Sequence, residues 1–93
     1  MEKKIYALTY CYEGVDDNQP YASTIAVSED IEKLKTKLAE CVAEDTEVDK
    51  DDEWRDDCNF KVTAAYNGHE VFLQHRKNIN LYANYKIHFV EVL

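Results

Sequence analysis

From residue 5 to residue 12 the chain reads Ile-Tyr-Ala-Leu-Thr-Tyr-Cys-Tyr, and alternation divides it into Ile5, Ala7, Thr9 and Cys11 on one side and Tyr6, Leu8, Tyr10 and Tyr12 on the other. Neither side is charged, which predicts a strand inside a sheet. Residues 13–20 gather turn formers and end in Pro20, and a second β-favouring run follows over 21–27, so the two form a hairpin with a polar loop. The period then changes. Ser28 precedes Glu29 and Asp30, and Ile31, Leu34, Leu38, Cys41 and Val42 recur at helical spacing opposite Lys33, Lys35, Lys37 and Glu40. This predicts an amphipathic helix over about 29–44, begun by a hydroxyl cap and by acids that complement the helix dipole.

The second half reads as strands. Residues 60–66 and 69–76 flank Asn67-Gly68, the dipeptide that best supports the positive φ angles of a two-residue hairpin turn. That turn predicts Tyr66 opposite His69, Ala64 opposite Val71, Val62 opposite Leu73 and Phe60 opposite His75, a register that brings apolar sets together. A competing pattern, Phe72, His75, Ile79 and Tyr82, would make 69–83 helical. Asn78-Ile79-Asn80 reads as a turn, and 85–92 as a last strand with Ile87 and Phe89 inward and Lys86 and His88 outward. The order β-β-α-β-β-β predicts an α+β fold in two layers, a mainly antiparallel sheet with the helix on one face. On this reading the uncovered face carries Tyr6, Leu8, Tyr10, Tyr12, Lys61, Thr63, Lys86 and His88, while the pattern leaves open which side of the first strand meets the helix.

Between helix and strands lies the acidic segment 44–57. Its nine acidic and two basic residues hold −7 of the formal net charge of −8. A chain of 93 residues predicts a single domain spanning 1–93, and a hydrophobic share of 45% is ample for a core. The charge disfavours nucleic acid and anionic lipid as direct partners, since binding there needs Lys and Arg to displace counterions. Three widely spaced cysteines, Cys11, Cys41 and Cys58, fit reduced thiols in a cytoplasmic protein. No apolar run approaches a membrane span.

Carboxylates at Asp49, Asp51 and Glu53, or at Asp45, Glu47 and Asp49, have the spacing of a calcium loop, but Trp54 and Lys50 occupy the position that needs glycine. His69 and His75 fall at opposite ends of one strand and cannot share a metal ion. Cys58 follows Asp56 and Asp57, and neighbouring carboxylates disfavour the thiolate. Gly14 and Gly68 are too far apart for a phosphate loop. These absences predict neither enzyme, cofactor nor metal.

What remains points to protein partners. Asp49, Asp51, Asp52 and Glu53 offer negative charge, Trp54 offers an anchor, and Tyr6, Tyr10 and Tyr12 offer a row of aromatic side chains on one strand. Trp54 is expected to dock on the body and to tether a mobile acidic arc over 45–52.

The opening Lys-Lys-Ile-Tyr-Ala-Leu-Thr-Tyr, the Val-Ser-Glu-Asp helix start and the closing Tyr-Lys-Ile-His-Phe-Val-Glu-Val resemble small, functionally uncharacterised bacterial and phage-borne proteins. The resemblance covers the first half and the last strand. It implies a fold of this kind and carries no active residues. The sequence thus predicts an interaction module for a basic protein, a class that includes inhibitors and immunity-type proteins masking a nuclease or nucleic-acid-binding surface. The alternative is a structural domain that forms a homodimer through a sheet edge or the tyrosine row, with the acidic segment serving solubility.

Overall fold

A computed structural model describes residues 4–14 and 21–90. Of the loop expected over 13–20, residues 13 and 14 extend the first strand, and 15–20, with the strand end expected at 91 and 92, lie outside the described residues. The elements are β1 (Ile5–Gly14), β2 (Tyr21–Ser28), α1 (Ile31–Asp45), β3 (Phe60–Tyr66), β4 (Glu70–His75) and β5 (Leu81–Val90). The α+β class holds: among the described residues five strands form one antiparallel sheet in the order β2-β1-β5-β4-β3, joined by one helix.

The helix starts two residues later than its sequence signals suggested. Asp30 caps it by accepting the Glu32 N–H at 3.0 Å, while Ser28 ends β2 and accepts the Asp30 N–H with its own hydroxyl. The predicted stripe faces the sheet. Leu34 and Leu38 are buried, each contributing about 2 kcal/mol of apolar burial, and Ile31, Cys41 and Val42 pack half-buried beside them.

The tyrosine row of β1 faces the helix, contrary to the expected open face. Leu8 is fully buried, with Tyr6, Tyr10 and Tyr12 packed against the same core. The partner strand explains why: Leu8 sits opposite Ile87 and Tyr10 opposite Tyr85, and both β5 residues are buried. The side of β1 that bears Thr9 and Cys11 turns outward with Lys86 and His88.

Residues 70–75 and 81–83 lie in strands with a turn over 76–80 between them, so the helical alternative fails. The last strand begins at Leu81, four residues before its expected start, because the 78–80 turn closes at once: the Leu81 N–H donates to the Asn78 carbonyl and the Asn80 N–H to the Asn78 side chain. The β3–β4 turn forms as expected, with Asn67 at φ 50, Gly68 at φ 73 and the His69 N–H donating to the Tyr66 carbonyl at 2.8 Å. The register next to it differs. Tyr66 lies opposite Glu70 and Ala64 opposite Phe72, and a bulge at Thr63 restores the expected Val62–Leu73 and Phe60–His75 pairs. His69 is drawn out of the β3 pairing because its carbonyl accepts the Ile87 N–H of β5 at 2.6 Å.

The helix packs mainly over β1, β2 and β5, and its Lys35 side chain lies beside Gly68 in the β3–β4 turn. Val62 shares the side of buried Leu73 yet is 47% exposed. Phe60 and His75, at the far end of the same side, are nonetheless almost wholly buried. Their cover is the segment between α1 and β3.

Candidate functional site

The acidic segment is folded, and its organiser is Asn59. This residue is 2% exposed and sits at φ 67, a left-handed conformation that asparagine tolerates better than most residues. Its side-chain carbonyl accepts the Asp49 N–H at 2.7 Å, and its amide nitrogen donates to the Asp52 carbonyl at 3.0 Å. Its backbone N–H donates to the Glu47 carbonyl at 2.9 Å, and its carbonyl accepts the Arg76 N–H at 2.8 Å. One side chain thus fixes the arc that precedes it and joins that arc to the strand end.

His75 holds the other side of the loop. The ring accepts the backbone N–H groups of Lys77 (3.1 Å) and Asn78 (2.9 Å) at Nδ1, which places its proton on Nε2, and Nε2 donates to the Arg55 carbonyl at 2.7 Å. His75 projects to the same side as Val71 and Leu73, so Arg55 and its neighbours lie over the helix-bearing face. The loop completes a layer that the helix only partly fills.

Arg55 gathers the acids around this point. It makes a bidentate pair with Asp57, at 2.9 and 2.6 Å, and a third bond to Asp49 at 2.9 Å. Asp49 also accepts the N–H groups of Asp51 and Asp52 at its other oxygen. The Arg55 guanidinium therefore holds the Asp49 and Asp57 carboxyls below the usual range, and for Asp49 the two N–H donors add to the effect.

Asp45, at the helix end, behaves oppositely. Burial pushes its carboxyl up, against the bond donated by the Tyr85 hydroxyl at 2.5 Å, and nearby Glu44 and Asp57 push the same way. The Tyr85 phenol is itself driven well above its ordinary value, by burial first and by Asp45 next, and stays protonated as the donor. Between the helix end and the loop runs an open cleft of about 720 Å³, lined chiefly by Asp45, Glu47, Asp49, Asp51 and Asp57, with Lys50, Arg55 and Cys58. Burial raises the Cys58 thiol, the Asp57, Asp49 and Glu47 carboxylates raise it further, and Arg55 opposes them. The Cys58 sulfur accepts from the Asn59 amide. Among the described residues, no group of three His, Cys, Asp or Glu side chains is placed to hold a metal ion.

The candidate contacts separate into distinct environments. Asp49 is engaged within the loop, whereas Asp51, Asp52 and Glu53 are exposed, with Glu53 paired to Lys77 at 3.4 Å. Trp54 does not dock on the body. It is 65% exposed, because Asn59 and His75 already anchor the loop and the short turn from Asp52 to Arg55 points the indole outward. Tyr6 meets Phe89 edge-on and Tyr10 stacks obliquely on Tyr85, so these two tyrosines belong to the helix side rather than to an exposed row with the acids. Sequence reasoning passed over Asn59 and Arg55, and weighed His75 only as a strand residue and a metal ligand. Asn59 carried one usable signal, its residue type, since asparagine is enriched in left-handed backbone.

The chain matches no known protein-family model, no curated protein and no solved structure. Among the described residues, no helix is long and apolar enough to cross a membrane.

Proposed function

We propose that the chain is a non-enzymatic interaction module that meets a basic protein surface through Asp51, Asp52, Glu53 and Trp54, in the manner of an inhibitor that masks a nucleic-acid-binding face. The observation that carries the reading is Trp54, held 65% exposed among carboxylates on a loop whose backbone Asn59 fixes. A loop that served only solubility would gain nothing from an outward indole. Tryptophan is among the residues enriched at the energetic centres of interfaces. A loop already folded in the free protein loses little conformational freedom on binding, and the surrounding charge speeds encounter with a cationic partner.

The single tryptophan is also the reporter. Titration with a lysine- and arginine-rich peptide should change Trp54 emission saturably, weaken as salt rises, and be lost in the triple variant D51N/D52N/E53Q. Asp49 is left intact because it holds the loop together. A flat titration, or equal affinity for native and neutralised loops, would refute the proposal.

A further inference from the structure

The face of the sheet opposite the helix and the acidic loop has no covering layer among the described residues. Rows of side chains cross it from strand to strand: Phe72, Asn84, Cys11 and Ala22 in one row, Gln74, Tyr82 and Glu13 in the next, and Glu70, Lys86, Thr9 and Thr24 on the other side. The large rings lie towards β4. Phe72 is 37% and Tyr82 43% exposed, and Tyr66 meets Phe72 edge-on at 6.0 Å. Towards β1 and β2 the first and third rows hold small side chains, Cys11 with Ala22 and Thr9 with Thr24. A shallow, mainly apolar depression of about 210 Å³ lies between these two parts, lined by Cys11, Thr63, Phe72, Tyr82 and Asn84 among others.

We propose that this face is the interface of a homodimer, in which the Phe72–Tyr82 ridge of each copy enters the Cys11–Asn84 depression of the other. Three observations favour a second copy over a different occupant. Ridge and depression occur on one surface, side by side, so a two-fold axis makes each the complement of the other. The face is balanced in charge, with Lys61 and Lys86 set against Glu13 and Glu70, in a chain whose net charge is −8. It is thus where two copies can approach with least repulsion, and the acidic loops then point away from each other on the two outer sides. The strands present a projected area of about 700 Å² at ordinary strand spacing, close to the ~800 Å² that each partner contributes to a standard interface. Face-to-face sheet packing supplies the geometry. The proposal does not depend on the function assigned to the acidic loop.

Sedimentation equilibrium decides it. The native chain should sediment at twice its mass of 10.9 kDa, and Phe72→Lys should return it to monomer with an unchanged circular dichroism spectrum. D51N/D52N/E53Q, on the far side, should remain dimeric. A measurement on the native protein guards against a variant that fails to fold: Cys11 is exposed in the single chain, so its alkylation by iodoacetamide should slow several-fold as protein concentration rises, while Cys41 and Cys58 do not follow. A monomer at every concentration assigns the face to another occupant and overturns the proposal. So does a dimer that survives Phe72→Lys or that leaves Cys11 equally reactive throughout.

Discussion

The side-chain carbonyl of Asn59 accepts the backbone N–H of Asp49 across ten residues of sequence, at 2.7 Å, and thereby closes the acidic arc into a ring. Asn59→Ala removes both side-chain anchors and leaves a residue poorly suited to φ 67, so it should lower stability in urea unfolding by about 2–4 kcal/mol. Asn59→Gly loses the same bonds but adopts that φ freely, and should recover about 1 kcal/mol of the loss. Equal losses in the two variants would show that the backbone conformation contributes nothing.

His75→Phe keeps an aromatic ring against Phe60 while removing three hydrogen bonds. It strands two backbone N–H groups and one carbonyl, an expected loss of about 2–3 kcal/mol. Amide exchange at Lys77 and Asn78 should accelerate. Unchanged exchange would mean that the imidazole does not hold this turn.

Trp54 emission should be solvent-like and readily quenched by acrylamide, in keeping with its exposure. Because its neighbours are acids, caesium should quench it more efficiently than iodide, and D51N/D52N/E53Q should narrow the difference. Blue-shifted emission with poor quenching would place the indole against the body instead.

Asp45 and Asp49 should respond to pH in opposite senses. Burial raises the Asp45 carboxyl above its ordinary 3.8, so its contribution is present below that value and is lost as pH rises through the higher folded one. The Arg55 bond lowers Asp49, so its contribution is present above 3.8 and is lost as pH falls through the lower folded value. Relative to the native chain, Asp45→Asn should therefore be more stable at about pH 7 than at about pH 3, and Asp49→Asn less stable, compared by urea unfolding. Parallel profiles for the two variants would contradict both assignments.

Periodicity made the helix stripe, the antiparallel second half and the Asn67-Gly68 turn legible, because each depends on near neighbours in the chain. It could not orient β1: both of its sides are uncharged, and only the pairing of Leu8 with Ile87 shows which one is buried. Nor could it anticipate the bulge at Thr63, which answers a hydrogen bond from a third strand to His69. At the candidate site, the exposed acids were evident as charge. The structure of the loop was not, since it rests on two polar residues, Asn59 and His75, whose partners lie up to twenty positions away.

The sheet is therefore covered by two materials. Under α1 the contact is apolar, through Leu34 and Leu38; under residues 46–59 it is largely hydrogen-bonded, through Asn59 and His75. Exposure of apolar surface dominates the heat capacity of unfolding and much of its denaturant sensitivity. Lifting the loop alone is then an event with a small heat-capacity and denaturant signature, while lifting the helix is inseparable from losing the core. The same chain carries its charge on the section whose opening exposes the least apolar surface.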